Sequence, residues 1–490
     1  MTIKKKMPVT VVKAQYRQSD VEVYQNNPLI LALPSQLDAV RFKKIMTMQV
    51  IPWEFAHKGD SDRIEDIKSF RKTRIVTTQH LDLYNEVYEL LSHGYVNRNP
   101  SRPEVVGWSY DIADSSIAIE DVERPYESVS DLETTAGALF VTGFSGSGKS
   151  TFSERILMNA FPMVIEHSWS GFSDPQIVFV KVDMPDNANR SDLIYNILEE
   201  IDRILSFTSF GKTTYAEKCK TNSGKYILIS LMKKILFTAL NRHHVGLLII
   251  DEFQNLEVAG VRYRREMLQL MVTLSNLLAV PNIKIGTPEA ILLFDSKASD
   301  KRRIGVIHEL TRFNDKEWQR VIKAAFAFQP LAYPVEPCEG SVKLLKDLTA
   351  GVPSIFMTLW ESILIEAVRA GSEKITQTLI KRVFKQRFPL LRSVTRNINQ
   401  GIKGRHADLL TVQQYLDLDK NGLALKHLQH FINSVQGKGP TANAVIEDIS
   451  AMTEHRDFSL PQLKKLEKIK NDLKRGSKGE NLPQTLEHES

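Results

Sequence analysis

The residues with the clearest chemistry are Gly143-Phe-Ser-Gly-Ser-Gly148-Lys149-Ser150-Thr151. They follow the apolar run Ala138-Leu-Phe-Val-Thr142 and precede a segment of helical character, Phe152 to Ala160. The spacing Gly-x-x-x-x-Gly-Lys-Ser turns a strand into a helix whose first N–H groups and positive end converge on polyphosphate oxygens. In that geometry Lys149 reaches the β and γ phosphates of a nucleoside triphosphate and Ser150 ligates Mg²⁺. Gly143, Ser145, Gly146, Ser147, Gly148, Lys149, Ser150 and Thr151 together are the candidate cradle. A Gly/Ser-rich turn of the same spacing is the alternative, and the flanking strand and helix count against it.

A second group lies 102 residues beyond Lys149, where Leu247-Leu-Ile-Ile250 runs into Asp251-Glu252. Four apolar residues ending in two acids are the pattern of a Walker B strand. Asp251 is suited to hold the hydration shell of Mg²⁺, and Glu252 to orient and deprotonate an attacking water. Two acids engaged in ordinary salt bridges would look the same in isolation. The presence of Glu252 argues for hydrolysis in addition to binding. The next strand ends Ile285-Gly286-Thr287-Pro288, which gives Thr287 the place of a polar sensor of the γ phosphate or the lytic water. Asp300-Lys301-Arg302-Arg303 offers an arginine to a neighbouring subunit's site, with a solvated basic loop as the equal competitor. Arg312 and Arg320 are weaker candidates for that post. ATP and Mg²⁺ are the cofactors these residues imply.

Positioning such groups requires a sheet. Apolar, β-rich runs at Leu139 to Thr142, Gln176 to Asp183, Gly246 to Asp251 and Ile283 to Gly286 alternate with 3- and 4-residue apolar spacing at Asp192 to Leu205, Tyr226 to Leu240 and Arg265 to Leu278. Continuous apolar strands separated by helices predict an α/β domain with a parallel sheet buried on both faces. After Pro337 the strands give way to three helical patterns, Ser341 to Thr349, Ser354 to Ala370 and Thr376 to Phe388. The organisation expected is an N-terminal accessory region at 1–131, partly irregular and ending in an acidic connector, a nucleotide-binding domain at 132–337, a small helical lid at 338–388 and a polar C-terminal region at 389–490. That last region carries helical patches near Leu423 to Val435 and Pro461 to Arg475.

At 490 residues the chain is long enough for two or three domains, and 42% hydrophobic with 25% charged residues is the composition of a soluble globular protein. The only two cysteines, Cys219 and Cys338, lie far apart without metal-ligand spacing, support neither a disulfide framework nor a zinc site, and favour a reducing cytoplasm. No membrane span or secretory signal is expected. A formal charge of +6 permits nucleic-acid binding without demonstrating it.

The order of P-loop, Walker B, polar sensor strand, paired-Arg loop and helical lid over about 132 to 388 resembles an AAA+ ATPase of the initiator and transposition-regulator branch. The lid segment Thr349-Ala-Gly351-Val-Pro353-Ser354 has Ser354 where many such proteins place a second sensor arginine. Outside the core, Ala14-Gln-Tyr16-Arg17, Val21-Glu-Val-Tyr24, Asn27-Pro28-Leu-Ile-Leu-Ala-Leu33-Pro34 and Gly94-Tyr95-Val96-Asn-Arg98-Asn99-Pro100 resemble the N-terminal signature of the TnsC family, ATP-dependent regulators of bacterial transposons with a heteromeric transposase, some of them directed by CRISPR effectors. Leu247 to Glu252, Ile285 to Pro288 and Glu373-Lys-Ile-Thr376 extend the similarity to about residue 390.

The resemblance implies a homo-oligomer, ring or helical filament, on double-stranded target DNA in the bacterial cytoplasm. It also implies recruitment by a TnsD/TniQ-type target selector and activation of a TnsA/TnsB-type transposase, with hydrolysis resetting the assembly. In relatives that encircle DNA the channel is faced by residues between the second strand and Walker B, which makes Lys212, Thr213, Lys218 and Lys220 candidate phosphate contacts. A solvated loop with incidental lysines fits equally well. The Lys-rich stretch Leu463 to Arg475 could meet DNA or an acidic partner, though a solvated face explains it better. Two other functions compete: an AAA+ replication initiator or helicase loader, and an ATP-binding scaffold in which hydrolysis is incidental.

Overall fold

The computed structural model of the protein describes residues 6–51, 58–114, 137–258, 261–288, 290–291 and 305–400. Two sheets run through the described residues. The larger contains β2 (Ala138–Gly143), β5 (Phe179–Asp183), β6 (Leu247–Asp251), β7 (Asn282–Ile285) and β8 (Val306–Leu310), all parallel, in the order β5-β6-β7-β2-β8. The smaller joins β1 (Val11–Lys13), β3 (Val164–Glu166) and β4 (Pro175–Ile177). The apolar run expected as one strand from Gln176 to Asp183 is thus divided. At Val178 the chain leaves the small sheet, its N–H donating to Met163 O, and enters the large one. Strand β8, which sequence periodicity did not reveal, closes the far edge against β2, with Leu139 opposite Val306 and Gly143 opposite Leu310.

Helices pack against the large sheet. Arg190–Leu205 starts on Asn189, whose side chain accepts from Ser191 N, and buries Leu193, Ile194, Ile197, Leu198, Ile201, Ile204 and Leu205. That spacing is one apolar stripe of a 3.6-residue period, and each fully buried side chain contributes about 1.5–3 kcal/mol. Ile229–Arg242 and Val261–Leu278 complete the set predicted between the strands.

The N-terminal region is more regular than its sequence implies and shares one hydrophobic core with the sheet. Its main element, the helix Thr78–Val96, buries Leu83, Tyr84, Val87, Tyr88, Leu91 and Tyr95. The motifs that carried the family resemblance act here as fasteners. Asn27 caps the short helix Pro28–Leu31 and donates from Nδ2 to Tyr95 O at 2.9 Å. Tyr95 Oη donates to His244 O at 2.9 Å, and Arg98 Nη1 to Val245 O at 2.6 Å, just before β6. Gly94 has no side chain because Pro281 fills the space: a Cβ there would lie 2.4 Å from Pro281 Cγ. Gln176 donates to Leu29 O at 3.0 Å, and Tyr16 Oη lies 3.0 Å from His167 Nδ1.

A second core belongs to the lid. The helices Glu339–Thr349, Pro353–Arg369 and Gln377–Arg387 match the three predicted patterns within one or two residues. They are joined by Asp315–Ala327, which gives Trp318, Val321, Ile322, Ala325 and Phe326 to this core, so the hydrophobic division falls just after β8. Leu391–Gln400, in sequence expected to be merely polar, is a further helix whose Asn399 donates to Asp347 O. Ile67 and Phe70 from the N-terminal region enter the same core. Arg63 forks onto Glu373 at 2.9 and 2.5 Å, and Arg71 onto Glu361 at 2.5 and 3.1 Å. The N-terminal region therefore ties the lid to the sheet. No described helix is long and apolar enough to cross a membrane.

Candidate functional site

The P-loop leaves β2 at Gly143, where a side chain is excluded: a Cβ would lie 2.2 Å from Leu310 O and 2.7 Å from Ser147 Oγ, at φ +150°. Gly146 (φ +82°) and Gly148 (φ +107°) take left-handed conformations that let the loop wrap back on itself. The helix then starts at Lys149–Thr151 and continues through a wider π-type turn, Phe152–Ile156, that buries Phe152 and Ile156 beneath the loop. Lys149 Nζ donates to Gly143 O (2.6 Å) and Phe144 O (3.0 Å).

The loop forms one side of a cavity of about 460 Å³. Gly146, Ser147, Gly148, Lys149, Ser150 and Thr151 line it; Gly143 makes the turn beneath, and Ser145 is exposed away from it. The remaining walls were not evident from sequence. Arg74, Ile75, Thr77 and His80 come from the N-terminal region, Leu310 and Thr311 from the end of β8, and Ser354 and Met357 from the lid. The lid sits directly on the loop, with Ser354 N donating to Gly146 O at 3.2 Å, and a Cβ on Gly146 would collide with Ser354 Oγ at 1.8 Å. Ser354 is thus in direct contact with the loop.

Asp251, Glu252 and Thr287 do not line this cavity; they stand at the ends of β6 and β7, two strands and one strand from β2 respectively. Because β7 lies between β2 and β6, the carboxyl ends of three strands bring Lys149, Thr287 and the Asp251-Glu252 pair to one edge of the sheet. Asp251 is 8% exposed and pairs with Lys181 Nζ at 2.9 Å, and Lys181 also reaches Glu154 at 3.0 Å. Burial alone would lower the Lys181 pKa, but Asp251 and Glu154 outweigh it and hold the ammonium above its ordinary value. Asp251 Oδ1 accepts the Glu252 N–H at 2.9 Å. Glu252 itself is exposed and adopts φ +54°, a left-handed conformation rare for a non-glycine residue. Gln254 Nε2 donates to Glu252 Oε2, while Gln254 Oε1 accepts Thr287 N at 3.3 Å. One amide therefore bridges the water-activating candidate and the sensor candidate.

These residues fit ATP and Mg²⁺. The cavity is lined by loop residues Gly146 to Thr151, Lys149 among them, and Ser147 Oγ is buried without a hydrogen-bond partner. Among the described residues there is no cluster of three metal-ligating side chains. One hydroxyl from Ser150 and one carboxylate from Asp251 suit Mg²⁺, which usually takes few protein ligands and completes its shell with phosphate and water.

Arg302 and Arg303 lie outside the described residues, as does the Lys-rich stretch Leu463 to Arg475. Of the candidate DNA contacts, Lys212 and Lys218 are exposed, with Lys218 Nζ 5.7 Å from the Tyr215 ring centre. Thr213 is engaged internally: its hydroxyl donates to Asp202 Oδ1, and Tyr215 N and Ala216 N donate to the same carboxylate. Lys220 is half-buried with Nζ 3.7 Å from the Tyr195 ring centre. The structure gives both a role in shaping the loop.

Residues 132–294 match the AAA domain family. No curated protein matches the chain. Among solved structures the chain is similar to the Walker-type ATPase PABY2304 of Pyrococcus abyssi, at 13% identity over 68% of this chain and 83% of that one, with a TM-score of 0.37. It is similar to the Thermotoga maritima RuvB Holliday junction branch migration motor, at 14% identity over 64% and 74% and a TM-score of 0.30. It is also similar to the Aeropyrum pernix ORC2 protein in its ADPNP–ADP complexes, at 17% identity over 60% and 79% and a TM-score of 0.34.

Proposed function

We propose that this chain, an α/β AAA+ P-loop protein with its AAA domain at residues 132–294, is an ATPase that oligomerises on double-stranded target DNA and regulates transposition in the manner of TnsC. The observation that carries the catalytic half is the placement of the P-loop, Thr287 and Asp251-Glu252 at the carboxyl ends of three neighbouring parallel strands, with Gln254 bridging Glu252 to Thr287. Lys149 and the loop N–H groups bind the phosphates; Glu252 takes the proton of the attacking water; Thr287 holds that water or the γ phosphate in line. Bound Mg²⁺ would neutralise charge developing on the phosphate oxygens. Arg302 or Arg303 from a neighbouring subunit completes the site, which makes hydrolysis depend on assembly.

The transposition half is supported by the N-terminal motifs. In this reading region 1–131 meets a TnsD/TniQ-type selector, 389–490 meets a TnsA/TnsB-type transposase, and hydrolysis resets the assembly. Electron microscopy with duplex DNA and a non-hydrolysable ATP analogue is expected to show rings or filaments around the duplex. A monomer free of DNA under those conditions overturns the reading.

Lys212 and Lys218 are the exposed cations of the channel candidate loop. Replacing both with glutamine is expected to weaken duplex binding and to flatten the plot of log affinity against log salt by about 0.9 for each phosphate that is no longer neutralised. A salt slope equal to the parent's removes this loop from the DNA interface.

A further inference from the structure

His80 is the third residue of the Thr78–Val96 helix and closes its N-terminus: Thr77 Oγ1 accepts His80 N at 3.3 Å, and His80 Nδ1 accepts Thr77 N at 3.1 Å. This reciprocal cap also fixes the tautomer. Since Nδ1 receives a backbone N–H, the proton of the neutral imidazole resides on Nε2. Burial, with His308 and Arg74 nearby, pushes the His80 pKa down to about 4, so the ring is neutral near pH 7. The ring is 7% exposed and stacks at 14° on Phe152, the residue under the P-loop.

Nε2 has no hydrogen-bond partner. It lies 3.5 Å from where a Cβ on Gly148 would stand, and His80 lines the P-loop cavity. A buried donor without an acceptor is unfavourable, and such exceptions call for a ligand. The acceptors that belong beside the Gly148-Lys149 turn are phosphate oxygens. We infer that His80 Nε2–H donates to a phosphate oxygen of the bound nucleotide, which makes the N-terminal region a direct part of the nucleotide site. The neutral ring contributes a fixed direction, while Lys149 contributes charge. Its backing by Phe152 and its cap on Thr77 hold that direction before ligand arrives.

This inference rests on the nucleotide-binding reading, and one titration separates the two. The full chain and a His80→Gln variant are titrated with ADP in Mg²⁺ by calorimetry, and pyrophosphate is measured as a competitor of ADP. Glutamine preserves the Thr-x-x-Gln form of the cap, so the melting temperature without ligand is expected to stay near the parent's. ADP affinity is expected to fall about tenfold or more, and pyrophosphate affinity by a similar factor. The parent-to-variant ratio is expected to be flat from pH 6 to 8, as a neutral donor requires. Equal ADP affinity in the two proteins overturns the inference and leaves the nucleotide site standing. A loss confined to ADP, with pyrophosphate unchanged, assigns His80 to the ribose or base and overturns it as well. A parent that binds no ADP removes the site itself, and the inference with it.

Discussion

Glu252→Gln is expected to cut ATP turnover by about 100-fold or more while nucleotide affinity stays near the parent's. Removing a general base typically forfeits a factor of about 10² to 10⁴. Binding is carried elsewhere, by the loop N–H groups, Lys149 and the cavity walls. Glutamine has the same shape and can still accept from Gln254 Nε2, so the Gln254 bridge to Thr287 survives the change. Glu252 is exposed, so the substitution removes no buried charge. Its φ of +54° is the kind of strain, about 1–3 kcal/mol, that persists where a side chain must be aimed. Steady-state turnover and ADP titration on the two proteins decide the matter: a variant that hydrolyses ATP at the parental rate takes Glu252 out of the chemistry. In a transposition assay the same variant separates switch from scaffold. If target selection survives the loss of hydrolysis undiminished, ATP binding alone drives assembly and turnover is incidental.

How much of this site could be read beforehand follows from where its parts lie in the chain. The phosphate loop, the acid pair and Thr287 are each local: a few consecutive residues at the end of an apolar run, whose meaning survives without knowing the fold. Strand order is not local. Periodicity identifies β7 as a strand but does not say that it lies between β2 and β6, and that placement brings Thr287 between Lys149 and Asp251. Strand β8 escaped because Val306-Ile-His-Glu-Leu310 is short and interrupted by polar residues, with its burial decided by β2 alongside it. The cavity walls escaped for the same reason. Arg74, His80, Thr311 and Met357 come from three distant segments, and nothing in their neighbours announces that they converge.

Function and packing were also confounded. Asn27, Gly94, Tyr95 and Arg98 mark a family resemblance, yet in this chain their contacts are internal: a helix cap, a close approach to Pro281 and hydrogen bonds to His244 and Val245. Thr213 and Lys220 show the converse problem. In sequence a lysine and a threonine in a loop fit phosphate contacts and a solvated loop equally well, and neither reading anticipates their contacts with Asp202 and Tyr195.

Lys284 is the cation that a strand buried on both faces has to accommodate, and it yields the second large effect. In Asn282-Ile283-Lys284-Ile285 the lysine stands between two isoleucines. Strand β7 is central with all four residues buried, and Lys284 is 2% exposed, opposite Phe140 and Ile250. Its Nζ is hydrogen-bonded to Asn282 Oδ1 at 2.5 Å. Burial lowers its pKa from 10.5 to about 7. At about 1.4 kcal/mol per pKa unit this shift corresponds to roughly 5 kcal/mol of stability withheld when the amine is charged. Loss of the bond to Asn282 would return about 1–3 kcal/mol of that. Lys284→Met is therefore expected to raise stability at pH 7 by on the order of 2 kcal/mol or more.

The pH dependence carries the diagnosis. Between pH 7 and the unfolded value the unfolded chain holds a proton that the folded chain has released, so parental stability gains up to about 1.4 kcal/mol per pH unit as pH rises. The gain ends near pH 10, where tyrosines begin to ionise in the unfolded chain while burial holds Tyr84 and Tyr95 at about 12, and stability then declines. Denaturant melts of both proteins from pH 7 to 9.5 should give a rising line for the parent and a flatter one for the methionine variant. Parallel lines would mean that the amine stays charged in the folded strand. Because the tip of β7 bears Thr287, ATP turnover of a stabilised variant then has a clear meaning: unchanged turnover makes the buried amine a tolerated defect, whereas reduced turnover with intact ADP binding makes it a contributor to the position of that tip.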